Sequence, residues 1–148
     1  MLIKLFLAWS LMAVCVAIHA SGLTLALRWL GDKHAVMEGK FLPATWMLIR
    51  VAGWVLLLHT LEILLWACVY YWQRCMPDLD SASYFSAVTY TTTGYGDLVL
   101  QQQWRVLGAV EALTGILMCG WSTAFFFTVV SRRNKPGTKT SDSAGISP

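Results

Sequence analysis

The run Thr91-Thr92-Thr93-Gly94-Tyr95-Gly96-Asp97 carries residue types suited to holding a dehydrated cation. Such an ion needs oxygens in place of its hydration shell. Backbone carbonyls supply them when the strand is extended and its carbonyls all point one way. That arrangement demands unusual dihedrals at alternating positions, which glycine adopts without steric cost. Gly94 and Gly96 stand two apart, as this geometry requires. Tyr95 between them is expected to turn its side chain away from the axis, into packing that props the loop open. Thr92 can add a hydroxyl oxygen at the inner end. A lone Gly-Tyr-Gly in a soluble chain is only a turn, so the surrounding sequence has to decide.

The surroundings are those of a bilayer protein. Of the 148 residues, 57% are apolar and 13% charged, with eight tryptophans, which is too apolar for a soluble domain of this size. The net charge of +3 forms no basic stripe: four of the eleven Lys/Arg fall in the last seventeen residues and the others are scattered. No nucleic-acid partner is expected. Three stretches reach the roughly 20 apolar residues that a spanning helix needs: Leu5 to about Leu27, about Val51 to Trp72, and about Val106 to Ser131. The stretch from Ala82 to Thr93 is too short to cross and is rich in Ser, Thr and aromatics. Flanked by Pro77-Asp78 and the glycine pair, it reads as a re-entrant helix and loop. Backbone of that kind is tolerated at membrane depth only where protein or water surrounds it. No internal repeat is evident, so one chain carries one such loop.

The first stretch has a rival reading. Lys4, an apolar run and Ile18-His19-Ala20-Ser21 fit a cleaved signal peptide. Against this, the apolar run continues through Leu23, Leu25 and Leu27 to Trp29-Leu30. Charge argues the same way. Arg28, Lys33, Lys40 and Arg50 surround the following loop, and Arg132, Arg133, Lys135 and Lys139 lie in the tail. The positive-inside rule puts both in the cytoplasm, which holds only if the first stretch stays and spans. The expected topology is amino terminus outside, carboxyl terminus inside, with the re-entrant loop entering from outside. The tail, rich in Pro, Gly, Ser, Thr and Lys, cannot bury a core and is expected to be disordered.

The filter-like run, its flanking spans and its preceding short helix resemble the potassium channel superfamily, and most closely the two-helix pore of small bacterial members. The resemblance covers about Leu48 to Ser131 in the order outer helix, pore helix, filter, inner helix. It implies an all-α membrane protein with three transmembrane helices plus a re-entrant pore helix and selectivity-filter loop, assembled as a homotetramer. The implied organisation is an N-terminal transmembrane helix (1–30), a cytoplasmic loop (31–47), a pore domain (48–131) and a disordered cytoplasmic tail (132–148). By the same resemblance K+ is held by Thr92, Thr93, Gly94 and Tyr95, with Gly96 completing the filter. Tyr84-Phe85-Ser86 sits where such channels place an aromatic pair and a small residue on the pore helix. Thr91, Tyr84 and Asp97 are the implied filter supports. Gly115 matches a hinge glycine of the inner helix, with Gly120 five residues on. Ile116, Cys119, Thr123 and Phe127 match cavity-facing positions. The pore helix would aim the negative end of its dipole at that cavity and favour a cation there.

Three departures stand out. Thr93 replaces the usual Val or Ile and adds a hydroxyl behind the filter. Val88 replaces the pore-helix acid that in some bacterial channels braces the filter aspartate, so Asp97 needs another partner, and Tyr84 is the candidate. The first helix has no counterpart in the minimal pore, and it lacks the arginine series of a voltage sensor.

Outside the filter, Glu62 and Glu111 are ionisable groups inside spans, where they are costly and should face protein or water. Glu62 shares a helix face with His59, three residues earlier. Glu111 follows Arg105 by six residues, about 9 Å along a helix, which puts it near filter depth. There it can brace the pore helix through Ser86, Thr89 or Thr91. These groups read as hydrogen-bonded structure, as a pH-coupled element or as side-chain ligands of the ion, and a His59/Glu62 pair alone is a weak metal signal. The four cysteines form no C-x-x-C pair. Cys15, Cys68 and Cys119 fall in apolar runs, and only Cys75 reads as exposed.

Together these residues point to a subunit that passes K+ without catalysis, with no cofactor beyond the transported ion. Its partners are the lipid bilayer, in a bacterial inner membrane, and three further copies of itself. A weakly selective cation channel stays open as an alternative because of Thr93 and Val88. A non-conducting membrane subunit that keeps the fold is the other.

Overall fold

The structure, a computed structural model, describes residues 2–31 and 41–133. Every regular element among them is helical: α1 (Leu2–Gly31), α2 (Phe41–Trp72), α3 (Leu79–Tyr90), a short 3-10 turn (Gln102–Trp104) and α4 (Arg105–Arg133). Three of these are long and apolar enough to cross a bilayer, over Leu2–Leu30, Thr45–Trp72 and Gln102–Ser131. Spans of this length and apolarity are those of an integral membrane protein.

Each span extends beyond the apolar stretch that announces it. α2 starts at Phe41, so residues 41–47, expected as loop, are helical. The remainder of that loop, 32–40, and the tail from 134 onward lie outside the described residues. The re-entrant helix starts at Leu79, three residues before the stretch that announces it, and ends at Tyr90, beside the Thr91-Thr92 expected to close it. Its start is fixed by Asp78, whose carboxylate accepts the Ser81 backbone N–H at 2.7 Å and the Ser81 hydroxyl at 3.1 Å, an N-cap that satisfies otherwise orphaned donors. The same N–H holds the Asp78 carboxyl below its ordinary range. Its stop is fixed by Thr92, whose φ of 59° no α-helix accommodates.

The four helices pack through stripes at helical spacing. On α1 the buried positions are Ala8, Leu11, Cys15, His19, Gly22, Ala26 and Leu30. Lipid is as apolar as leucine, so helices in a bilayer associate through close packing and polar contacts. Small residues at Ala8, Cys15, Gly22 and Ala26 allow that approach. α1 lies against α4 and α2, while α3 is wedged between α2 and α4. One cluster joins Leu11, Cys15, Trp66, Tyr70, Phe85, Leu107 and Met118, and a second joins Leu30, Val51, Val55, Phe125 and Val129. Lys4 closes the molecule at one end, donating to the Gln103 carbonyl at 3.2 Å and lying 4.1 Å from the centre of the Trp104 ring. The start of α1 thus lies on the same side as the loop that leaves the filter.

The cysteines differ from expectation. Cys75 is buried, whereas Cys68 and Cys119 are exposed. After α2 the chain turns sharply through Arg74, at φ 55°, and Cys75 N–H returns to the Tyr70 carbonyl at 2.9 Å. That turn tucks Cys75 onto the core, while Cys68 and Cys119 sit on outward helix faces.

Candidate functional site

The filter run leaves α3 as a non-helical strand whose backbone alternates. Thr92, Gly94 and Gly96 have φ of 59°, 54° and 78°, while Thr93 and Tyr95 between them do not share the left-handed region. Opposite hands at successive residues turn successive carbonyls to one side of the strand, which is how one segment presents a row of oxygens. Two of the three left-handed positions are glycine. The third, Thr92, is β-branched, a residue for which this region is strained, and such strain persists only where surrounding structure imposes it.

The imposition is visible. Thr92 N–H donates to the Thr89 carbonyl at 2.9 Å and Gly94 N–H to the Val88 carbonyl at 3.1 Å. Thr91 donates its hydroxyl to the Ala87 carbonyl at 2.7 Å, and its oxygen lies 2.9 Å from the Thr93 hydroxyl. The Thr93 hydroxyl is therefore tied back to the C-terminus of α3. At the far end of the strand, Tyr84 donates its hydroxyl to Asp97 at 2.8 Å. This bond draws the Asp97 carboxyl below its ordinary range and pushes the Tyr84 phenol up. Residues 91–97 are all exposed in the single chain.

Behind the strand, α4 approaches α3 at Gly115. A Cβ there would overlap the Tyr90 backbone carbonyl, with the carbonyl carbon at 2.8 Å. The absence of a side chain thus lets the inner helix touch the last turn before the filter. Ile116, Cys119, Gly120, Thr123 and Phe127 all fall on the exposed face of α4, opposite its packing stripe of Glu111, Thr114, Met118, Ser122 and Phe125.

The intramembrane acids occupy two separate polar knots. In the first, Glu111 faces Tyr70, which donates to it at 2.6 Å, and Ser86, which also lies 2.8 Å from the Ile63 carbonyl. These three contacts need three protons, and the two hydroxyls supply two. All are made at once when Glu111 carries its own proton and donates it to Ser86. Ser86 is one of the α3 hydroxyls expected opposite Glu111, while Thr91 gives its hydroxyl to the Ala87 carbonyl instead.

The second knot is larger than the sequence suggests. His19 Nδ1 lies 2.9 Å from Glu62 Oε1, and His19 Nε2 lies 3.1 Å from Ser122 Oγ. His59 Nε2 meets the same hydroxyl at 3.0 Å, and His59 Nδ1 lies 3.0 Å from the Tyr90 hydroxyl. Tyr90 donates to Glu62 Oε2 and closes a ring Glu62–His19–Ser122–His59–Tyr90. His59 and Glu62 do share a face, yet His59 Nδ1 lies 4.0 Å from Glu62 Oε2, and Tyr90 mediates between them. The five links need five protons. Two neutral imidazoles, two hydroxyls and one carboxylic acid carry that number, so the ring closes at zero net charge. Reading the sequence alone misses His19, Tyr90 and Ser122. A histidine in an apolar span is itself a signal, but nothing in the spacing says that residues 19, 62 and 122 meet.

Residues 58–132, half of the chain, match the family model described as "Ion channel". The chain belongs to this ion channel family. The match spans the second half of α2, α3, the filter run and α4, while α1 lies outside it. Searches of curated proteins and of solved structures found no match.

Proposed function

We propose that this ion channel protein is a subunit of a potassium-selective channel, four copies of which surround one pore. The observation that carries this reading is the left-handed backbone at Thr92, Gly94 and Gly96 with the opposite hand between them. One such strand offers oxygens to one side of an ion, and a cage that replaces a hydration shell needs a closed ring of strands. Exposure supports the same assembly. The filter run is uncovered in one chain, and α4 presents Leu113, Ile116, Leu117 and Phe127 outward. In this reading K+ occupies sites made by Thr92, Thr93, Gly94 and Tyr95, and Ile116, Cys119, Thr123 and Phe127 face the cavity below.

Orientation follows from charge. Arg28 and Arg50 lie at the end of the bundle opposite Lys4 and the filter exit, as does the C-terminal end of α4. The positive-inside rule places that end in the cytoplasm and the filter mouth outside, in a bacterial inner membrane. Conduction is passive, and no residue is assigned a catalytic role.

The test is ion flux in liposomes holding the purified protein, with K+ and then Na+, and Gly94→Ala beside the native chain. An alanine at φ 54° costs roughly 1–2 kcal/mol per copy, repeated at each strand around the pore. K+ flux with little Na+ flux, abolished in the variant, is the expected result. Equal flux of both ions would replace K+ selectivity with general cation conduction. Flux unaffected by the variant would remove the filter from the pathway.

A further inference from the structure

The ring of Glu62, His19, Ser122, His59 and Tyr90 has the chemistry of a second ion site, unrelated to the filter. We propose that it binds one divalent transition-metal ion of the zinc class per chain, through His19 Nδ1, His59 Nδ1, a Glu62 carboxylate oxygen and the Tyr90 phenolate oxygen.

Geometry gives the first support. Ligand atoms of His19, His59 and Glu62 all lie within 4.8 Å of one another. Ligands about 2.0–2.2 Å from a tetrahedral ion stand roughly 3.4 Å apart, so the ring needs only a small contraction. Tyr90 Oη is the fourth donor, 3.0 Å from His59 Nδ1 and hydrogen-bonded to Glu62.

The surroundings give the second. A metal-binding imidazole usually donates its other N–H to a fixed acceptor, which sets the tautomer and the ring orientation. Both remaining nitrogens, His19 Nε2 and His59 Nε2, reach the one Ser122 oxygen, at 3.1 and 3.0 Å. That oxygen has two lone pairs and accepts both N–H groups. The arrangement leaves the two Nδ1 atoms turned toward Glu62 and Tyr90. Glu62 and His19 are fully buried, and the His59 side chain, 14% exposed, offers the way in.

Charge gives the third. A net charge inside a bilayer is costly, and a divalent ion beside a single carboxylate would leave one. The closed ring holds two protons that a metal can replace, the one between Glu62 and His19 and the phenolic proton of Tyr90. When both leave, carboxylate and phenolate balance the ion and the site stays neutral. His19 and His59 keep one N–H each, and Ser122 keeps its own proton. Two nitrogens and two anionic oxygens suit Zn2+ or Co2+ and do not suit Mg2+ or Ca2+, which take more oxygens. The four donors come from α1, α2 and α3. A bound ion would therefore fasten the first helix, which has no counterpart in the matched pore unit, to the turn that leads into the filter.

The full chain, purified in detergent and stripped with a chelator, is titrated with Co2+ and followed by its visible absorption. The expected result is one ion per chain with the intense bands of a tetrahedral site. Zn2+ should remove them, and Mg2+ or Ca2+ in large excess should not. His19→Gln, Glu62→Gln and Tyr90→Phe should each weaken binding on the order of 100-fold, and Ser122→Ala, which leaves every ligand in place, by ~10–100-fold. Gel filtration confirms that each variant is folded, and Ser122→Ala decides the matter if the ligand variants are not. Less than one ion per chain, weak octahedral bands, or binding that survives Ser122→Ala and Glu62→Gln, as it would at the exposed Cys68 or Cys119, overturns the proposal.

Discussion

Replacing Gly115 by alanine tests whether the inner helix must touch the backbone of the pore helix. An added methyl would overlap the Tyr90 carbonyl oxygen and sit 2.8 Å from the carbonyl carbon and 3.2 Å from its Cα. Restoring the carbon to an ordinary 3.4 Å contact moves one helix by about 0.6 Å, and clearing the oxygen takes more. None of these atoms belongs to a flexible side chain, so the strain cannot be relieved by a rotamer. Overpacking of this kind costs about 1–3 kcal/mol, against a gain near 1 kcal/mol from replacing a helical glycine with alanine. Gly120→Ala is the matched control, because nothing lies within 4 Å of a Cβ there. Thermal unfolding in detergent should place Gly115→Ala below Gly120→Ala by the full overpacking cost, roughly 3–10 °C for a chain of this length. Ion flux in liposomes should fall in the same variant, because Tyr90 is the last residue of α3 and residues 91–97 follow directly. Equal melting temperatures for the two variants would refute the contact.

Glu111→Ala leaves the Tyr70 hydroxyl without its buried acceptor, at about 1–3 kcal/mol, and leaves Ser86 only the Ile63 carbonyl, whereas Glu111→Gln keeps an acceptor for Tyr70. Unfolding should rank native, Gln, Ala in falling stability, and an alanine variant as stable as native would dissolve this knot. The Tyr84–Asp97 bond depresses the Asp97 carboxyl, so its contribution is present above the ordinary carboxylate range, near 3.9, and is lost as pH falls through the depressed value. Flux on acidification should therefore fail at higher pH in Tyr84→Phe than in the native chain, and superimposable profiles would exclude the bond as a support. A Cβ on Gly22 meets the end of the Leu58 side chain, its methyls at 2.5 and 2.6 Å and its Cγ at 3.1 Å, which can swing aside. Gly22→Ala should thus shift unfolding slightly and Gly22→Leu strongly, and equal effects would mean that α1 does not dock through this glycine.

The spans and the left-handed glycines at 94 and 96 were legible because their physics is local. Twenty apolar residues are a span wherever they occur, and glycines two apart carry their dihedral freedom with them. The Tyr84–Asp97 bond could be named because Val88 left Asp97 without the usual partner, and Ser86 was among the hydroxyls facing Glu111 because helical rise alone set the depth. The start of α3 was less legible. Asp78 fixes it through a cap, whereas hydropathy sees only the run that follows. The ring was not legible. His59 and Glu62 lie on one helix, but His19, Tyr90 and Ser122 join them only through packing of α1 and α4, and a Ser in an apolar helix carries no mark of its partner. Cys75 was misread for a related reason, since the turn at Arg74 that buries it has no hydropathy signature.

The bond between His19 and Glu62 bears on how the chain enters the membrane. Each residue is expensive to place in hydrocarbon alone, by about 2.5–3.5 kcal/mol for an acid at mid-bilayer, yet the two stand 43 positions apart at 2.9 Å. Residue 62 therefore finds its counterpart in the helix made immediately before it, well before Ser122 is synthesised. α1 and α2 can leave the insertion machinery as a hairpin in which Glu62 already meets His19, and Tyr90 and Ser122 complete the ring later. The first helix then acts as an internal chaperone for the second, and a chain lacking it would have to carry an unpartnered acid into the bilayer.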